Sequence, residues 1–304
     1  MGIEVEPLEL PVESDVAVEL VALQASIDAV RHPEDAPLPA EVLIPELEVS
    51  RPEQESRTWL ARDAGELVGY VSVGTRVEGD NEGYAEADIQ VRYDRRAEGI
   101  EGALVAAALP WLQGRGARTL SWWTDDDVGR TVAESLGLTF RQQERCSRLR
   151  VADVDVAQQE EWIAAPRARA AGYRVESWTG PCPDELIGAY AVACSAMADA
   201  PLDDVEWTPS TVTPELVREY ESVSVRLGLA LHTSLALDGG GQAAGMTAIK
   251  VHPARTWYGA QEDTAVVREH RGYALGRWLK AANLARVRAA HPELEVVQTY
   301  NAET

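Results

Sequence analysis

The chain has 304 residues, 45% of them hydrophobic, and a formal charge of −22. That length suits two domains with real cores, and no apolar run reaches the ~18 residues of a membrane span. So negative a field repels polyanions, which argues against nucleic acid, and favours the approach of cationic partners. In chain order, Thr58 to Ala61 and Leu67 to Val73 read as paired strands about a turn at Gly65. A strand through Ile89-Gln90-Val91-Arg92 leads into Arg95-Arg96-Ala97-Glu98-Gly99-Ile100-Glu101, then into helical spacing at Leu104, Ala108, Trp111 and Leu112. Leu120 to Trp123 reads as a strand, Val128 to Leu136 as a helix, and a final strand of this half reaches about Val151. Ala152 to Ala171 is rich in Ala, Gln, Glu and Arg without alternation, a linker of helix-compatible composition. A second domain starts near Tyr173, with helices expected at about Pro183 to Ala196 and from near Pro214. Gly228 to Leu237 and Ala244 to Val251 read as a hairpin about Gly239-Gly240-Gly241, and Glu295 to Tyr300 as a last strand.

The most telling segment is Val266-Val267-Arg268-Glu269-His270-Arg271-Gly272-Tyr273-Ala274-Leu275-Gly276. A β-branched run enters a basic, glycine-containing turn, which opens a helix with apolar positions Leu275, Trp278, Leu279, Ala282, Ala285 and Ala289. The first amides of such a helix have no intrahelical acceptor, and the macrodipole adds roughly half a positive charge there. Small residues let a phosphate approach, and Arg271 adds charge-assisted bonds, so the turn reads as a diphosphate cradle. The spacing fits neither the Rossmann nor the P-loop fingerprint. Arg271-x-x-Ala274-x-Gly276 instead resembles the R/Q-x-x-G/A-x-G/A acyl-CoA loop of the GNAT N-acetyltransferase superfamily. The first half repeats the pattern: Arg96 lies 175 residues before Arg271 and Gly99 lies 175 before Ala274. The whole resembles a tandem GNAT protein, with the two-domain architecture of mycothiol synthase and its relatives.

The resemblance implies an α/β (α+β) fold of two GNAT-like domains, each a mixed, mostly antiparallel sheet flanked by helices. The expected division is residues 1–151 as a degenerate copy, 152–172 as linker and 173–304 as the acetyl-CoA-binding domain. Degeneracy is expected because Glu101 stands where the second half has Gly276, and a carboxylate ~4 Å from a diphosphate is repelled by several kcal/mol. The second half stops at Thr304, just after Tyr300-Asn301, before the last helix and two strands of a GNAT domain. Either the sequence is truncated, or another segment or subunit fills the gap and covers the sheet edge.

Direct acetyl transfer from a thioester needs a neutral amine and a polarised carbonyl. The resemblance gives acetyl-CoA as co-substrate and assigns its pantetheine to Val266, Val267 and Arg268. Its diphosphate falls to His270, Arg271, Gly272, Tyr273, Ala274, Leu275 and Gly276, and its arm to Asn301. For the base, strand parity puts Asp263, Ala265 and Val267 on one face and Glu262 and Thr264 on the other, which favours Asp263 over Glu262. Asp199, Asp203 and Asp204, with Trp207 as a cation–π face, are the expected acceptor residues. The usual general acid, a tyrosine beyond the fifth strand, has no position here, and Tyr300 lies on the strand itself. Widely spaced Cys146, Cys182 and Cys194 make neither a disulfide framework nor a zinc site, so no metal is expected. Met1 to Leu10 lacks the marks of a signal peptide, and a reducing cytoplasm is the expected location. The reading is an N-acetyltransferase for a small-molecule amine, without nucleic acid or membrane as partner, and with homo-oligomerisation open. Its competitors are acetylation of a protein lysine or N-terminus, and a non-catalytic acyl-CoA-binding scaffold.

Overall fold

The computed structural model describes residues 2–164, 172–199 and 205–303, which form two compact units. The first carries a sheet in the order β1–β2–β3–β4–β5: β1 (Glu4–Pro7), β2 (Gln54–Asp63), β3 (Glu66–Arg76), β4 (Tyr84–Val91) and β5 (Thr119–Trp122). Only β4 and β5 run parallel. Alternation along β2 decides its two faces. Trp59 and Ala61 join the core with α3 (Ile100–Gln113), while Leu60 turns the other way toward α1 (Ser14–Arg31) and α2 (Ala40–Glu48). The helix α4 (Asp127–Ser135) follows β5, its amide at Gly129 capped by the Asp126 carboxylate at 2.8 Å.

The second unit has a sheet in the order β6–β11–β10–β9–β8–β7. Its elements are β6 (Glu144–Arg150), α5 (Val156–Ala164), β7 (Arg174–Thr179), α6 (Ile187–Ser195), α7 (Pro214–Arg226), β8 (Ala230–Leu237), β9 (Ala243–His252), β10 (Arg255–Val266), α8 (Leu275–Ala290) and β11 (Val296–Ala302). The hydroxyl of Thr213 caps α7 by accepting from Leu216 N, with Pro214 pre-set at the first helical position. One sheet face packs α6 and α7 through Tyr190, Ala191, Val217, Met246 and Ala265. The opposite face packs α8 through Ala236, Ala244, Leu275, Trp278 and Leu279.

Two expected boundaries move. The strand at 144–150 does not close the first domain: β6 pairs antiparallel with β11 along its whole length, from Val296↔Arg150 to Ala302↔Glu144. The first unit's main segment therefore ends at Arg141 and the second begins at Gln142. This segment covers the edge of β11, because an unpaired row of amides and carbonyls is costly to leave. Nor is 152–172 simply a linker. Helix α5 lies along α8, where the Gln159 amide donates to Ala281 O at 2.9 Å and Arg277 stacks on Trp162; residues 165–171 lie outside the described residues. Among the described residues no helix is long and apolar enough to cross a membrane.

Candidate active site

The site is built on β10, and the ladder to β9 shows how. Gln261 pairs with Ile249 and Thr264 with Thr247, so Glu262 and Asp263 together face the single residue Ala248. That is a β-bulge, and it breaks the alternation on which the parity reading depended. Ala265 and its partner Met246 face α6. Counting from Ala265 puts Asp263 on that face, and counting from Ala260, opposite Lys250, puts Glu262 there as well. The expected separation of the two carboxylates is thus corrected: they share a face. The Lys250 ammonium reaches Glu262 Oε2 at 2.8 Å, which confirms the count. The Gln261 side chain fills the bulge, donating to Ala248 O and Glu262 O, both at 2.8 Å. Asp263 is open to solvent at its side chain yet crowded by protein. Desolvation first, then the neighbouring Glu262 charge, raises its pKa above the ordinary carboxylate value, and Lys250 opposes this.

Beyond the bulge the sheet opens. β10 and β11 pair only through Tyr258–Ala260 and Val296–Gln298. Past that point β10 stays with β9 to Val266, while β11 stays with β6 to Ala302, so a cleft forms between two parallel strands. Asn301 lies on the diverging part of β11, opposite Arg145. The loop after β10 makes a 3-10 turn at Arg268–His270, then takes left-handed backbone at Gly272 (φ 86°) and Ala274 (φ 61°) before α8 begins. Among the described residues, the amides of residues 272–277 find no backbone acceptor; the first to do so is Trp278, on Ala274 O. A row of unspent donors at a helix N-terminus is an anion site. Gly276 faces the strand, its Cβ position in ordinary van der Waals contact with Val266 Cγ2 at 3.6 Å.

Four predicted residues have partners that the sequence did not show. Arg271 donates from Nε to Val266 O at 3.1 Å and from Nη2 to Asp199 Oδ2 at 2.7 Å. The structure thus joins a residue expected to hold phosphate to one expected to hold the acceptor, and Asp199 is paired within the protein. Both side chains are nearly half exposed, where such a pair is worth about 0–1 kcal/mol. His270 turns Nδ1 to the Tyr173 hydroxyl at 2.8 Å, with the rings edge to face, so its expected phosphate contact falls at most to Nε2. Val267 commits its amide to Ala244 O and its carbonyl to His270 N.

The expected acceptor residues fall partly in different units and partly outside the described residues. Asp203 and Asp204 lie outside the described residues. Trp207 belongs to the first unit, edge to face with Tyr84 at 5.2 Å and with the Arg76 guanidinium already over its ring. Asn81 clamps the neighbouring Thr208 backbone by donating to its carbonyl at 2.9 Å and accepting from its amide at 2.8 Å. Trp207 thus already carries a cation, Arg76, over one face of the ring expected to meet the acceptor. Sequence reading missed Lys250, Gln261 and Tyr173. Lys250 had a signal, being one of only two lysines against 26 arginines; Tyr173, 97 residues from His270, had none.

Comparison with known proteins fits this geometry. The Acetyltransferase (GNAT) family model matches residues 27–135, in the first unit. A tandem GNAT protein from the clavulanic acid biosynthesis pathway superposes with a TM-score of 0.78 at 24% identity, covering 99% of this chain and 90% of that one. A GCN5-related N-acetyltransferase from Sphaerobacter thermophilus gives a TM-score of 0.66 at 14% identity, covering 99% and 87%. No curated protein matches the sequence. The chain has a tandem GNAT architecture, two α/β domains of one fold in a single polypeptide.

Proposed function

We propose that the second unit is an N-acetyltransferase, which takes acetyl from acetyl-CoA and gives it directly to the amine of a small molecule. The observation that carries this reading is the cradle itself: unspent amides at 272–277, left-handed backbone at Gly272 and Ala274, and the cleft between β10 and β11 at one end of α8. These features fit acetyl-CoA, with the diphosphate on the loop and Arg271, and the arm running along the open edge of β10 toward Asn301. The bound thioester supplies the acetyl group. Asp263 is the base: it takes the proton of the acceptor ammonium, the freed amine forms the C–N bond, and the C–S bond breaks as the departing sulfur takes the second proton from that nitrogen and leaves as thiol. A raised pKa suits this work, since a base is most effective with a pKa near the working pH. Expelling water from the cleft strengthens that exchange.

The test has two parts. Acetyl-CoA should bind with one site per chain by calorimetry, and a panel of small amines should give thiol release. Tight binding with no release across the panel supports the scaffold reading instead. Release only with peptides carrying a lysine or a free N-terminus supports protein acetylation. Failure to bind acetyl-CoA refutes the assignment.

A further inference from the structure

The bulge places two carboxylates side by side on one face of β10, and the structure holds them unequally. Glu262 is fixed twice, by Lys250 Nζ on its carboxylate at 2.8 Å and by the Gln261 amide on its backbone carbonyl at 2.8 Å. Among the described residues, no hydrogen bond or ion pair holds the Asp263 carboxylate. Adjacent like charges cost several kcal/mol at an intermediate effective dielectric, at about 4 Å, so a cation that pairs with only one of the two makes them unequal. The chain spends 26 arginines elsewhere and a lysine here. An ammonium is a compact point charge, whereas a guanidinium would fork across both carboxylates and occupy the base as well.

We propose that Lys250 is a positioning residue of the reaction centre: by pairing with Glu262 it separates the two bulge carboxylates into one committed anion and one free proton acceptor, Asp263. The proposal rests on the reading of Asp263 as base and adds the residue that makes it so. The other groups near Asp263 do not supply this charge. Burial pushes the Cys194 thiol on α6 up to about 12, and burial likewise raises the neighbouring Tyr190 phenol, so both are neutral. In the turn after α6, Asp199 is balanced by Arg271.

The test is carboxyl 13C NMR of the full chain labelled at aspartate, titrated with pH, with the Asp263 signal assigned from its loss in Asp263→Asn. Lys250→Met should raise the Asp263 midpoint by about one pH unit and broaden the curve, as two coupled carboxylates compete for one proton. Lys250→Arg should restore the charge but not the wild-type curve shape, since its fork engages both groups. Glu262→Gln, which keeps the fold if Lys250→Met does not, should lower the midpoint, because the like charge is gone and Lys250 is free to face Asp263. An Asp263 midpoint unmoved in Lys250→Met or in Glu262→Gln overturns the proposal. The base reading fails separately, if Asp263→Asn keeps normal turnover whatever the titration shows.

Discussion

The two units carry the same loop with opposite contents. Both pass through a 3-10 turn, at Tyr93–Arg95 and Arg268–His270, and both place left-handed backbone at the same two offsets. There Ala97 and Gly99 stand in the first unit where Gly272 and Ala274 stand in the second, so glycine and alanine have exchanged positions while the φ angles are kept. The loop conformation is thus a property of the fold. What fills it is set by one side chain. In the first unit Glu101 is 2% exposed and turns its own carboxylate back to the Ala97 amide at 3.4 Å. Arg96, the counterpart of Arg271, pairs with Asp126 and also lies 4.0 Å from the Glu101 carboxylate. The first cradle is filled by its own carboxylate, whereas the second, with Gly276, leaves its amides without a backbone acceptor. The strands differ as well. β4 runs against β3 in unbroken register from Gly69↔Val91 to Thr75↔Ala85, while β10 bulges at Glu262 and Asp263. Asp88, which lies 175 residues before Asp263, therefore stands in a regular ladder opposite Ser72.

This contrast can be broken most severely at Gly276. Gly276→Glu should copy the self-filled loop and weaken acetyl-CoA binding by at least ~100-fold by calorimetry, since a carboxylate facing a diphosphate costs several kcal/mol. Arg96→Ala in the first unit should leave binding unchanged. Equal losses from both would show that the first cradle is also used.

Next comes Asp263→Asn, expected to lower turnover by ~10²-fold at neutral pH with little change in acetyl-CoA affinity. The wild-type rate should rise with pH through the raised Asp263 pKa, because only the deprotonated form accepts a proton, and this limb should vanish in the variant. A limb that persists would move the base to Glu262 or to solvent.

Acid should also separate the units. His232 is buried in the second unit between the Thr179 hydroxyl at 3.1 Å and His291 Nε2 at 2.9 Å, and burial, with the His291 and Arg286 charges, lowers its pKa to about 4. The unfolded chain therefore takes up this proton first, near pH 6.5, and the native second unit resists it. Stability should fall as pH drops from about 6.5 to about 4, by roughly 2–4 kcal/mol, and then level off for this group. Chemical denaturation followed across that range checks it, and His232→Gln should flatten the slope.

Arg271→Ala should weaken acetyl-CoA about tenfold, the scale of lost charge-assisted hydrogen bonds. The smallest effect belongs to its partner. Asp199→Asn frees Arg271 from a half-exposed pair and should tighten acetyl-CoA by no more than ~3-fold. A loss of affinity instead would mean that Asp199 positions Arg271 for the ligand.

The sequence alone determined whatever depends on neighbours along the chain. The cradle at Arg271–Gly276, its counterpart around Arg96–Glu101, the amphipathic helices that follow and the hairpins of both halves are local patterns of period 2 and 3.6. The tandem architecture followed from their repetition, and Glu101 was legible as a charge in the wrong place. Tertiary structure decided what depends on pairing between distant segments. No periodicity in 144–150 says that this strand joins β11 across some 150 residues, because a strand's partner is chosen by the edge that needs covering. A bulge is equally invisible to parity, since it is a property of two strands' register and not of one strand's sequence. For that reason Glu262 came to share a face with Asp263. Trp207 and Asp199 are expected as acceptor residues from the resemblance of their segment to an acceptor-binding region, whereas their partners Arg76, Tyr84 and Arg271 are set by contacts over long stretches of chain.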